Sequence, residues 1–433
     1  MLIRGEFFLP PVDCKGWPHR CSATLPPMTT TKTKTASNPA TTLATTPATT
    51  PATAQSNPTA THLRLKEGIN IYRTPVGLRC GTARSSFAIP EKGYVRALEI
   101  LSANTWPDCD LATETGMNAE QVRELLWNLE EHEFLETTPS VLAVTTRYQS
   151  VAQHKRRDIL PDASIAQLHN RVIPELSFTR LLDGVHDSGA AIINARQNAR
   201  VEIYGSNRIA TLLYGILLSS GVTYTHFALG TRSHDPQIID SDLTAGFIRS
   251  TDVGLSFKQR TEDLGKELSL FPIESHENAQ ELDGQPSERF IKVHVGALDS
   301  QLISQWMAAE QEHLVVSPPD GGKLLIGPFV NPGKTPCIRC RDITLRNSHS
   351  ESSQSLAHVI GEKFTIGGKS IDNEVPVFVA HYCAGLIASF ILQRIDQDTC
   401  DLTGAFVEVD SLNLASSAPI PIDRNPACGC NWR

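Results

Sequence analysis

The chain has 433 residues, 40% of them hydrophobic and 20% charged, a composition of the soluble globular kind with room for two or three domains. Its formal charge of −8 at pH 7 argues against a general polyanion-binding role, though a local basic patch is compatible with it. Near the start, Phe7 to Pro11 is a broken apolar run followed by Asp13 and Lys15, too short for a secretion signal and far too short for a bilayer. No other stretch reads as a membrane span, so the expectation is a cytoplasmic chain with no membrane partner.

From Thr29 to Thr61 the sequence is almost entirely Thr, Ala and Pro. Such a tract has nothing to bury against its ordering entropy, so residues 1–61 are predicted to be a disordered tail, with Met28 as an alternative start. A secreted Thr/Pro-rich stalk is the other reading, and it would need a signal peptide.

Residues 62–150 carry the first ordered pattern. Apolar and polar residues alternate from His62 to Tyr72 around a Gly turn, Val76 to Leu78 continues the pattern, and Ser86 to Ile89 makes another short strand. Three helices are predicted next: about Lys92 to Ser102, Leu111 to Thr115, and one opening at Asn118, an N-cap with Gln121 three residues on. The third carries Val122, Leu125, Leu126 and Leu129 at helical spacing. Phe134 to Glu136 and Val141 to Val144 then read as a two-stranded wing, completing a small winged helix-turn-helix of α+β type. DNA binding is the default meaning of that shape, but Glu120, Glu124, Glu130, Glu131 and Glu133 stand against a single Arg123 on the third helix, so nucleic acid is not an expected partner. An extended peptide fits better. It would add to the strand edge at Phe87 and Ala88 and lie against Val122, Leu126 and Glu130.

Residues 151–199 read as a charged connector with one or two helices, and residues 200–433 as an α/β domain. Val201 to Tyr204 is a strand that turns at Gly205 into a helix, Thr211 to Ser220, stopped by Gly221, and a second strand follows from Val222 to Phe227. This is the opening of a Rossmann-like unit with a damaged fingerprint. Gly205 holds the first glycine position, but Asn207 and Ala210 replace the second and third, and no acidic residue ends the second strand at Ala228-Leu229-Gly230. Further on, Cys383 with His381 has the makings of a thioester cysteine and its base, yet its spacing in an apolar run reads better as helix core.

Two cysteine knuckles close the domain. Cys337-Ile-Arg-Cys340 and Cys428-Gly-Cys430, each flanked by turn-forming Pro and Gly, look like the halves of one structural zinc tetrathiolate, with free thiols or a disulfide as the alternatives. Cys14, Cys21, Cys80, Cys109, Cys383 and Cys400 form no second knuckle and are read as reduced thiols.

In order along the chain, Gly205 to Gly221, Asp252-Val-Gly254 with Lys258, Val295 to Asp299, Ile326 to Cys340 and Pro426 to Cys430 resemble the landmarks of the ThiF/MoeB-type, ubiquitin-activating-like superfamily. The last two segments are similar to the signatures of its branch of leader-peptide-binding partners of azole-forming cyclodehydratases in bacteriocin (TOMM) biosynthesis. The N-terminal unit resembles the PqqD-like recognition element fused to that branch. The resemblance implies a scaffold that captures the leader of a ribosomal precursor peptide for a separate YcaO-type enzyme, with a homodimer as a candidate assembly. Adenylating relatives bind ATP through a glycine loop, an arginine, a lysine and an aspartate. Here Gly205 holds the first glycine place, Lys258 is offset from the lysine place by one residue and Asp299 has a counterpart, the arginine place falls near Thr244 with Arg249 nearby, and Asp299 reads equally as a helix cap; ATP binding is not expected. The rival functions are an active adenylyltransferase and a winged-helix transcriptional regulator.

Overall fold

The computed structural model describes residues 63–103, 110–137, 162–228, 235–271, 289–348 and 375–430. The Thr/Ala/Pro tract, Val141 to Val144, Leu229 and Gly230 lie outside them, as do Cys14, Cys21 and Cys109.

Short strands open the described chain: β1 (Arg64–Leu65), β2 (Asn70–Thr74), β3 (Gly77–Gly81) and β4 (Ser86–Ile89). Strands β2, β3 and β4 form an antiparallel sheet in that order, which leaves β4 on an edge. Helices α1 (Tyr94–Leu101), α2 (Leu111–Thr115) and α3 (Ala119–Glu131) follow. Helix α3 starts where its cap dictates: the Asn118 side chain accepts from the Gln121 N–H at 2.8 Å, and the Gln121 side chain accepts from the Asn118 N–H at 3.0 Å. Leu125 and Leu129 are wholly buried among Leu78, Leu98, Leu101 and Phe134, so this unit has its own core.

Strand β5 (Leu135–Glu136) pairs antiparallel with β1. Its outer side is bolted to the following segment, where the Thr137 N–H donates to the His186 carbonyl at 3.1 Å and the Gly184 N–H to Glu133 at 2.8 Å. Glu136, 1% exposed, accepts from Arg64 at 3.0 Å and from the Ser188 hydroxyl, and Glu67 pairs with Arg180. Lys66 is packed into the same joint, where burial lowers its pKa against the nearby carboxylates Glu133, Glu136 and Asp183. Buried charge is retained here because nearly every group has a partner across the joint.

Two helices, α4 (Asp162–Thr179) and α5 (Ala190–Asn198), precede the large sheet. Its strands are β6 (Ala199–Tyr204), β7 (Tyr224–Ala228), β8 (Arg289–Val295), β9 (His313–Val316), β10 (Lys323–Val330), β11 (Ala405–Asp410) and β12 (Pro419–Pro421), in the order β12-β11-β10-β9-β8-β6-β7. The run β7, β6, β8, β9 is parallel, and β10, β11 and β12 join antiparallel. One face, with Val201, Ile203, Ile291 and Val293, packs on α6 (Arg208–Ser219) and α10 (Val377–Gln397) in the main core. The parallel strands are closed by α7 (Phe257–Leu268) beside α6 and by α8 (Ser300–Ala308) on the second face, and α9 (Ile338–Ser348) follows β10.

Helix α10 corrects one sequence expectation. Its 21 residues are long and apolar enough to cross a membrane by length and composition, but half of the tested window is buried within the protein. Val379, Cys383, Ile387 and Ile391 pack on the sheet, which is what an all-round apolar helix does in the centre of an α/β core.

Candidate functional site

The turn after β6 is built around backbone proximity. Gly205 has φ 137°, and a Cβ placed there would come within 2.3 Å of the Val295 carbonyl oxygen. Glycine is required because β6 and β8 run parallel side by side and the loop must cross the end of β8. Asn207 caps α6: its Oδ1 accepts from the Ala210 N–H at 3.0 Å, while Nδ2 donates to the Val295 carbonyl at 3.3 Å. In a nucleotide fold that helix end offers bare N–H donors to phosphate. Here an amide side chain occupies one of them and ties the loop to β8.

The other nucleotide candidates have local roles. Asp299 caps α8, its Oδ1 accepting from Gln301 at 3.1 Å and Leu302 at 3.0 Å. Lys258, in the first turn of α7, lies 3.9 Å from Glu262. Arg249 is exposed, its backbone N–H donating to Asp252, whose carboxylate also pairs with Arg260 at 2.7 Å. Thr244 is buried in a turn with Ile248. Cys383 is wholly buried, and burial pushes its thiol up to about 12; His381 is turned away from it, its ring nitrogens on the Val377 and Ala245 carbonyls. That pair is not a nucleophile and base.

The cysteine knuckles do meet. Cys337 directly precedes α9 and Cys340 lies in its first turn, Cys428 and Cys430 lie around a short turn at the end of the described chain, and the four Sγ atoms all fall within 4.8 Å of one another. Cys337 and Cys428 are 3.3 Å apart and Cys340 and Cys430 3.4 Å apart, too long for disulfides. Thiolates about 2.3 Å from a tetrahedral ion sit about 3.8 Å from each other, so the cluster has the size of a four-sulfur metal site. Burial raises the Cys337 thiol, and pushes Cys430 up to about 11. Burial opposes ionisation at Cys340 too, but the Asn425 N–H at 3.4 Å and the neighbouring thiols outweigh it and lower its pKa. Arg341, 1% exposed, anchors the knuckle by donating to the Gly327 carbonyl of β10 at 2.6 Å.

Along β4 the hydrogen-bonding parity can be read from the hairpin. The Thr82 N–H donates to the Ser85 carbonyl at 2.8 Å, so that pair is hydrogen-bonded, and in the regular antiparallel register bonded pairs recur at every second residue. Phe87 therefore exchanges its main-chain bonds with Cys80, while Ser86 and Ala88 turn theirs to the open edge. The Phe87 ring stacks on His132 at 5.2 Å and on Phe134 at 6.0 Å, and His132 Nδ1 is 2.7 Å from the Ser85 hydroxyl. Val122 and Leu126 are half-buried on α3 and Glu130 is exposed.

Sequence reasoning missed a polar network on the second face of the large sheet. Glu202 lies between Arg200 at 2.7 Å, the Tyr204 hydroxyl at 2.9 Å, Lys292 at 3.2 Å and His226 at 3.3 Å. Burial opposes ionisation of Glu202, yet His226, Lys292 and Tyr204 together hold it down to about 2. The signal was the alternation of Arg200, Glu202 and Tyr204 with Val201 and Ile203, since a parallel strand covered on both faces is ordinarily a continuous apolar run.

Fold and site define a mixed α/β protein with a Rossmann-like opening and a four-cysteine cluster that could bind a metal ion. Its solved structural neighbours include E. coli MccB with AMPCPP and selenomethionine MccA, TM-score 0.56 at 15% identity over 86% of this chain and 99% of that one. The microcin C7 biosynthetic enzyme MccB in complex with N-formylated MccA gives 0.55 at 14% identity, covering 85% and 99%. The selenomethionine form of PaaA gives 0.55 at 14%, covering 83% and 100%. The likeness is one of fold. No protein-family model matches the chain. No curated protein matches it either.

Proposed function

We propose that the chain is a leader-peptide-binding scaffold that presents a ribosomal precursor peptide to a separate YcaO-type cyclodehydratase. In this reading residues 62–150 are a winged-helix recognition element of the PqqD-like kind, the peptide adds a strand along β4, and Val122, Leu126 and Glu130 select its side chains. The cysteine cluster holds a structural zinc, since four thiolates fill a tetrahedron and leave no place for substrate.

The observation that carries the scaffold reading is the Asn207 side chain bonded to Val295 and Ala210, which occupies the helix end a nucleotide phosphate would need. The fold likeness to MccB supports a ribosomal peptide as partner, because the MccB structures include complexes with MccA. A second reading, an adenylyltransferase, is favoured by that same likeness, which extends over most of the chain and includes a structure of MccB with ATP. ATP–pyrophosphate exchange separates the two. The scaffold reading expects no exchange by the isolated chain with magnesium and candidate peptides; robust exchange that disappears in Asp299→Ala would establish the adenylyltransferase instead.

A further inference from the structure

Helix α3 has more surface than one groove can use. Successive residues turn by about 100°. Val122, Leu126 and Glu130 therefore lie to one side of the buried Leu125–Leu129 line, and Glu120, Glu124 and Glu131 to the other, where Glu124 hydrogen-bonds Tyr94 of α1. On the outward ridge between them stand Arg123 and Trp127. Trp127 is 58% exposed, whereas Trp306 is buried at 3%.

Glu67, Glu136, Glu202 and Glu312 each sit in an ion pair, but Glu120, Glu124, Glu130 and Glu131 have none among the described residues. Glu120 and Glu124 are also four apart on one helix, a like-charge spacing that costs a few tenths of a kcal/mol. A first-turn position suits Glu120 and the bond from Tyr94 serves Glu124, which leaves Glu130, Glu131 and the exposed ring for a partner to use.

We propose that the Trp127 ridge is a second docking surface, for an arginine-bearing segment of a partner protein, separate from the groove at Val122 and Leu126. A guanidinium can lie flat on the indole while its N–H fork reaches carboxylates one turn away on either side, at Glu124 and Glu131. Lysine lacks the plane and gains only the charge. Nucleic acid and anionic membrane would be repelled by the same carboxylates, and an uncharged apolar partner would desolvate them with nothing in return. The two flanks of α3 can be occupied together, and the inference does not depend on what the groove holds.

The test uses the full chain at physiological salt, titrated by calorimetry with a short synthetic peptide of alternating Arg and Ala, and with its Lys/Ala and Glu/Ala counterparts. The Arg peptide should bind, the Lys peptide several-fold more weakly, and the Glu peptide not at all. Trp127→Ala should weaken the Arg peptide by about five- to tenfold and erase its advantage over Lys, while Trp127→Phe retains part of it. The triple change Glu120→Gln, Glu124→Gln, Glu131→Gln should abolish binding. Glu267→Gln on α7 and Ala88→Pro on β4 should leave it unchanged, with far-UV circular dichroism verifying the fold of each variant. Unchanged binding in Trp127→Ala and the triple variant would reduce the effect to the net negative charge of the chain. Equal Arg and Lys affinities, or loss of binding in Ala88→Pro, would equally overturn the separate ridge.

Discussion

Proline at adjacent positions of β4 should have opposite consequences. Ala88 is exposed and directs its N–H to the open edge, so Ala88→Pro removes no bond within the protein and places its ring on an edge that tolerates it. Stability should change by less than about 1 kcal/mol. If a leader strand pairs there, the substitution deletes one main-chain bond worth about 1 kcal/mol net and sets a pyrrolidine ring in the path of the incoming strand. Affinity should then fall by about tenfold or more. Phe87→Pro instead removes the N–H that faces Cys80 and the ring stacked on His132 and Phe134, so it should cost about 3 kcal/mol of stability or more. The assay pairs urea unfolding of both variants with titration of the full chain by the N-terminal half of a precursor peptide encoded nearby. An Ala88→Pro variant that binds as tightly as the parent would refute the β4 edge as the peptide site. A variant that unfolds would show that the parity drawn from Thr82 and Ser85 is wrong.

The remaining predictions concern the large domain. Purified protein should contain about one zinc per chain, and Cys340→Ser or Cys430→Ser should lower both metal content and melting temperature, because binding energy at such sites is folding energy; full occupancy in a Cys428→Ser/Cys430→Ser double variant would sink the assignment. Glu202, depressed from 4.5 to about 2, contributes stability that is present above about pH 4.5 and lost as pH falls towards 2, about 3 kcal/mol in all. Glu202→Gln should accordingly be less stable than the parent at pH 7 by that order, with the gap closing on acidification, and a gap that stays constant from pH 7 to pH 2.5 would contradict it. Gly205→Ala forces a side chain to within 2.3 Å of the Val295 carbonyl at a φ of 137°, so it should cost about 2 kcal/mol or more, measured by chemical denaturation.

Much of the local structure was legible in the sequence because it depends on contacts a few residues long. Asn118 and Gln121 announce the start of α3 through a capping box closed within one turn, and Gly221 stops α6 by taking a positive φ of 97°. The cysteine knuckles were legible for a similar reason, since each is short and turn-flanked; their convergence over roughly ninety residues required the sheet to bring the end of β10 beside the chain terminus. Other decisions were tertiary. Strand β5 was expected to pair forward with Val141 to Val144, which lies outside the described residues, and the structure pairs it backward with β1 through a register no local signal encodes. The charged alternation in β6 became a network only when β7 and β8 set His226 and Lys292 beside Glu202. Asn207 could be recognised from sequence as a departure from the glycine fingerprint. Only the parallel packing of β6 against β8, which brings the Val295 carbonyl to the loop, makes that amide a tie across the helix end.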